Sequence, residues 1–152
     1  WAANEIALFM LEQAKINYEK ERQPSVIKSA QKIFTQITNK KYQRIFIPLD
    51  SNEILADESS GIRKTIYQMS RGSREQLYFA MRLGLIEEYE TKSEPLPIIM
   101  DDVLVNFDDS RGKQVLEILS FFAKKRQVII LTCRQDMVKA YKKMDANFIS
   151  TN

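Results

Sequence analysis

Residues 96–108 read LPIIMDDVLVNFD, and the fold class turns on how they are understood. Pro97 opens an apolar run, Ile98-Ile99-Met100, and Asp101-Asp102 closes it. A short apolar run bounded by Pro predicts a buried strand. Two adjacent carboxylates at the end of such a strand are costly unless a cation, a proton or a basic side chain offsets them. One reading places a magnesium ion at the C-terminal end of the strand. The other ends the strand at the surface, with both Asp residues solvated in a turn. On these residues alone the two readings stand level.

Downstream, Asp109 or Ser110 can cap a helix running to Ala123, with Val115, Ile118, Leu119 and Phe122 on one face. Lys124-Lys125-Arg126 then places cations where the helix dipole favours them. Residues 127–132 predict a second buried strand, with VIIL at its centre. A helix near 135–143 and a last strand over 147–150 complete the chain. Strand, helix, strand, helix, strand at this spacing predicts parallel βαβ units, and so an α/β fold.

Upstream, residues 69–76 read MSRGSREQ and open a helix that runs to about Tyr89. That helix is apolar on most sides (Leu77, Phe79, Ala80, Met81, Leu83, Leu85, Ile86), which predicts burial. Ser70, Gly72 and Gln76 stand before and within its first turns. Free N–H groups, the positive dipole end and a glycine that permits close approach suit an anion there. Ser70 or Ser73 serves equally as a plain N-cap. Residues 42–49 predict a strand in which Ile45 and Ile47 alternate against Arg44 and Phe46. Residues 53–57 and 62–67 predict two more, joined by Ser59-Ser60-Gly61.

The N-terminal part is helical. Residues 2–22 lack Gly and Pro, and Ile6, Phe9, Met10 and Leu11 give an apolar side, so the helix is expected to start half-buried and end in solvent. Pro24 suits the first position of a second helix, which carries Val26, Ile27, Ala30, Ile33, Phe34 and Ile37 at three- and four-residue spacing over residues 25–38. Two long charged helices in sequence read as the base of a coiled coil or as a helical hairpin.

Composition sets the outer bounds. The chain has 152 residues, 44% hydrophobic and 28% charged, which fits one globular unit of ordinary size. There is no His, which removes His-based triads and ordinary zinc sites. The single Cys133 excludes an internal disulfide and fits a reducing, cytoplasmic setting. No apolar run approaches the roughly 20 residues of a membrane helix. The net charge of +3 is too small to argue for nucleic acid. The chain starts at Trp1 and reads as part of something longer.

Taken in order, the motifs are specific. An S-x-G-x-x-x-Q opens a helix, a strand ends in Asp101-Asp102, Val105-Asn106-Phe107-Asp108 follows, and a later strand ends in Thr132-Cys133-Arg134. This resembles the C-terminal lobe of an ABC-type ATPase head. More narrowly, it resembles the SMC-like group: chromosome-maintenance and double-strand-break-repair ATPases and their YhaN-like bacterial relatives. The resemblance covers nearly the whole chain. It implies residues 1–40 as the base of a coiled coil, and residues 41–152 as a lobe of parallel βαβ units from a P-loop ATPase head. It further implies ATP and Mg2+ as cofactors. Ser70, Gly72 and Gln76 would belong to the signature motif acting on a partner head's nucleotide. Asp101 would be the Walker B ligand of magnesium, and Asp102 the catalytic carboxylate in the place usually given to Glu. Asp108 matches the D-loop, and Arg134 falls at the switch-loop position.

The Walker A pattern G-x-x-x-x-G-K-[ST] is absent. Gly112-Lys113 is followed by Gln114, and Lys64-Thr65 is preceded by Arg63. In the resembled family that loop lies in an N-terminal lobe across the coiled coil. The expected partners are therefore that lobe, a second head in a homodimer, DNA and a nuclease. The isolated chain is expected to be inactive. A transporter nucleotide-binding domain would carry Walker A in the same domain and no coiled coil. A non-catalytic interaction module would have no reason to keep Ser70, Gly72, Asp101 and Asp102 together.

Overall fold

A computed structural model describes the chain except residues 1, 22, 105, 106, 134–137, 139, 140, 144, 145 and 150–152. The fold is mixed α/β, and it divides into two units, residues 1–89 and 90–152. No helix of the described residues is long and apolar enough to cross a membrane.

The first unit begins with helices α1 (Ala2–Glu21) and α2 (Ser25–Ile37). Helix α2 buries Ile27, Ala30, Ile33, Phe34 and Ile37, the stripe that its three- and four-residue spacing predicts. Pro24 stands one residue earlier than expected, as the N-cap. Helix α1 departs from expectation: Ile6, Leu8, Phe9, Met10 and Leu11 are all exposed. These residues wind around the helix instead of lining one side, so there is no stripe to dock.

After α2 the chain reverses through Asn39 and Lys40, both at positive φ, with Lys40 N–H donating to Thr35 O at 2.8 Å. It enters an antiparallel sheet of β1 (Tyr42–Phe46), β2 (Leu55–Glu58) and β3 (Arg63–Thr65), in that spatial order. The turn between β2 and β3 uses Gly61 at φ +81°, a left-handed conformation glycine adopts without strain. A bulge between Tyr42 and Arg44 opens β1, and from Arg44 on the register is regular, with Arg44 and Phe46 on one face as the alternation expects. Ile45 and Phe46 are both buried, one on each face of the strand. Phe46 is covered by two guanidinium groups, Arg44 at 4.2 Å and Arg63 at 4.8 Å from its ring centroid. Tyr42 stacks on Phe34 of α2, with ring centroids 5.0 Å apart.

Strand β1 is also held by side chains from the helical region. Gln23 receives the Ile47 N–H at 2.9 Å and donates to Ile47 O at 2.8 Å, and Gln31 receives the Ile45 N–H at 3.2 Å. These amides supply the bonds that an extra strand would otherwise make. A 3-10 turn (Ile66–Gln68) leads to helix α3 (Arg71–Glu90). That helix is buried along one face only, through Ser73, Gln76, Leu77, Phe79, Ala80, Leu83 and Gly84, while Leu85 and Tyr89 stay exposed. Gly84 lies against α2: a Cβ there would stand 2.7 Å from Val26 O and 2.9 Å from Ala30 N.

Among the described residues the second unit contains a βαβ unit: β4 (Ile98–Asp101), α4 (Asp109–Ala123) and β5 (Val128–Leu131), with β4 and β5 parallel. Ile98 pairs with Val128 and Met100 with Ile130, on the more buried face of the sheet. Helix α4 buries Val115, Leu116, Ile118, Leu119 and Phe122. The sheet's other face is bare: Ile99 is 68% exposed and Leu131 53%. Both strands are therefore half-buried and not the fully buried strands expected. Parallel strands usually have both faces covered. Arg126 turns back from the end of α4, donates to Phe122 O and forms an ion pair with Glu90. The strand expected over 147–150 does not form at 147–149, which are exposed and unpaired in any ladder. A ladder needs a neighbour, and propensity alone supplies none. The helix expected near 135–143 falls largely outside the described residues.

Candidate functional site

The tip of the parallel sheet is the first candidate. Pairing between β4 and β5 continues one residue past the strand, through Asp102 N–H donating to Leu131 O at 2.9 Å. Asp102 then adopts φ +43°. Asp tolerates this left-handed region better than most residues, at a cost of about 1–3 kcal/mol that the surroundings must impose. The surroundings are evident. Thr132 Oγ1 donates to Asp102 Oδ1 at 2.8 Å, and Cys133 Sγ stands 3.5 Å from Asp102 Oδ2. Each carboxylate oxygen thus meets a donor from the segment that leaves β5.

Asp101 behaves differently. It lies exposed on the face it shares with Ile99 and Leu131. No group of three or more His, Cys, Asp or Glu that could hold a metal occurs among the described residues. A magnesium ion bound with phosphates needs only one or two carboxylates, since it retains water. Asp101 and Asp102 fit that modest requirement, and they do not fit a closed all-protein cage.

Asp108 caps α4: its Oδ1 accepts the Arg111 N–H at 2.9 Å, and its Oδ2 stands 3.3 Å from Arg111 Nε. The expected caps, Asp109 and Ser110, are instead the first helical residues, because Asp108 is the last with extended backbone, at φ −70° and ψ 165°. Arg134 lies outside the described residues.

The second candidate is the start of α3, in the other unit. Ser70 caps the helix: its Oγ accepts the Ser73 N–H at 3.3 Å and donates to Ser73 Oγ at 3.0 Å. The N-cap reading is therefore realised. It leaves other first-turn N–H groups without helical partners, as at any helix start. A Cβ on Gly72 would meet nothing within 4 Å, so packing inside the chain does not require a glycine there. The first turn is accordingly open to approach from outside. Gln76 is 1% exposed, within the core beneath this turn.

Sequence reading passed over Thr132 and Cys133 as partners of Asp102. The signal was present: parallel strands that start level, Ile98 opposite Val128, also end level. The residues after each strand must then meet.

No family model matches the sequence. The chain is 28% identical over 142 residues to the uncharacterized protein YhaN of Bacillus subtilis (strain 168). That match spans 93% of this chain and 15% of YhaN. Solved structures resemble it too. A structure from work on the ATP-driven dimerization and DNA-stimulated activation of SMC ATPases superposes with a TM-score of 0.61 at 22% identity. It covers 75% of this chain and 70% of the other. The fold is that of part of an SMC head domain. The Pyrococcus furiosus Smc head with an extended coiled coil, bound to the C-terminal domain of ScpA, gives a TM-score of 0.59 at 17% identity. It spans 91% of this chain and 36% of its own. The Thermotoga maritima SMC head gives 0.55 at 17%, over 84% and 44%. This SMC head-like chain is thus a distant homologue of YhaN over most of its length and spans only a small part of it.

Proposed function

We propose that this chain is the C-terminal half of an SMC-like, ABC-type ATPase head, acting in the cytoplasm in DNA repair or chromosome maintenance. Residues 1–40 form the base of its coiled coil and residues 41–152 its C-terminal lobe. The observation that carries the reading is the tip of β4, where an exposed Asp101 stands beside an Asp102 anchored to the end of β5. A Walker A lobe of the same protein completes the head, and a second head completes the ATP site. DNA and a nuclease are the further partners of this reading.

Bound Mg·ATP supplies the phosphoryl group and the cation that offsets its charge. Asp101, exposed at the tip of β4, would be a ligand for that cation. Asp102 orients and polarises the attacking water as general base. Ser70 and Gly72 present the first turn of α3 to the γ-phosphate held by the opposite head, with the helix dipole and N–H groups as the attraction. Gln76 supports that turn from the core. Asp108 steadies the segment between β4 and α4, and Arg134 occupies the switch-loop position.

Two substitutions in the full-length protein test the division of labour. Asp102→Asn keeps the size and removes the charge. It is expected to leave Mg·ATP bound, to slow hydrolysis by about two to four orders of magnitude, and to accumulate ATP-locked head dimers. Ser70→Arg fills the approach to α3, so ATP still binds single heads while engagement fails. Size-exclusion chromatography with Mg·ATP reads both. Monomers from Asp102→Asn, or stable ATP dimers from Ser70→Arg, contradict the assignment.

A further inference from the structure

We propose that Thr132 is a positioning residue for hydrolysis, holding the Asp102 carboxylate in its working orientation from the end of the neighbouring strand. The inference rests on the reading of Asp102 as the general base. It goes beyond that reading by assigning work to a side chain to which the motifs give no role.

Three observations converge. Asp102 sits at φ +43°, a conformation a non-glycine residue keeps only when its surroundings enforce it. Its N–H is tied to Leu131 O, which fixes the backbone against β5. Its side chain is then tied at Oδ1 by the Thr132 hydroxyl at 2.8 Å, with Cys133 Sγ at 3.5 Å from Oδ2. Residues 131–133 thus set both the main chain and the side chain of Asp102. Each carboxylate oxygen has more than one lone pair, so an oxygen bonded to Thr132 can still receive a proton from water. The Thr132 hydroxyl bond, at 2.8 Å, has ordinary O–H···O length, and a hydroxyl is a stronger donor than a thiol. Thr132 is therefore the principal clamp and Cys133 the lesser one. A general base that wanders by even an ångström loses much of its rate advantage while the nucleotide remains bound.

The test uses the full-length protein. Thr132→Val preserves the shape and β-branching of threonine and deletes only the hydroxyl. It is expected to lower kcat by about ten- to a hundred-fold. Mg·ATP affinity, measured by equilibrium titration of a fluorescent ATP analogue, should stay within about two-fold of the parent, while the fraction of ATP-locked dimers rises. Thr132→Ser restores the hydroxyl and should restore kcat. In an Asp102→Asn background, Thr132→Val should have no further effect, since the clamp has lost what it orients. Thr132→Ala replaces the valine variant if that one fails to fold by circular dichroism. A parental kcat for Thr132→Val beside an impaired Asp102→Asn overturns the inference and leaves the ATPase reading standing. The inference falls in the same way if Thr132→Val weakens nucleotide binding in step with kcat, or if the two substitutions add. A parental rate from Asp102→Asn itself overturns both.

Discussion

Two glycines on one helix have opposite reasons to exist. At Gly84 a methyl group would meet backbone atoms of α2 at 2.7 and 2.9 Å, and neither Val26 O nor Ala30 N can swing aside. Alanine normally gains about 1 kcal/mol over glycine inside a helix. Here the helices must separate instead, and Gly84→Ala should destabilise the fold by about 1–3 kcal/mol, the usual cost of overpacking. At Gly72 the space is open, so Gly72→Ala should cost no stability. Under the proposed function it should still weaken head engagement by crowding the phosphate. Urea denaturation of both variants, with ATP-dependent dimerisation of the second, separates the two cases. Equal destabilisation would mean that α2 and α3 do not cross as described. The sequence marks Gly72 as a glycine that permits close approach at a helix start, whereas the need for Gly84 depends on a partner helix that no local pattern names. Ser70 is a milder instance: its capping role was readable from its place before the helix, while its donated bond to Ser73 was not.

Elements were legible where one periodicity prevails. The faces of α2 and α4 follow from their spacing, and β4 and β5 follow from apolar runs that end in a polar residue. Legibility failed where structure depends on neighbours. Phe46 shares a face with Arg44, as the alternation expects, yet it is buried there under two arginines, one of them from a neighbouring part of the sheet. The β4–β5 pair has the composition of a strand pair covered on both faces, yet α4 covers one. Ile99 and Leu131 on the other face stay largely exposed, and an uncovered apolar patch of this kind drives association. The isolated chain is therefore expected to form dimers or larger species, and Ile99→Lys with Leu131→Lys to reduce them. Multi-angle light scattering of the two proteins decides this. A parent that remains monomeric at high concentration would count against the bare face as the sticky one.

At the scale of the whole chain, the missing phosphate cradle governs what these residues can do alone. No G-x-x-x-x-G-K-[ST] occurs in the 152 residues, so the isolated chain should show no steady ATP turnover. A malachite-green assay settles the point: turnover abolished by Asp102→Asn would mean that another part of this chain cradles the phosphates. The chain spans only 15% of YhaN, and under the proposed function it works as one part of a larger head. In that setting the joint between α1 and α2 acquires a mechanical meaning. Gln23 sits at the break between the helices and grips Ile47 by two opposed bonds, while Lys15 on α1 reaches Asp50 at 3.4 Å, just beyond the same strand. A slack linker would let a pull or twist on α1 dissipate. In the proposed head a pull or twist on α1 would have a short route through the Gln23 amide to Ile47, just past β1. Under the proposed function, the break between the helices would then serve as a fulcrum, with α1 as the lever arm that turns on it.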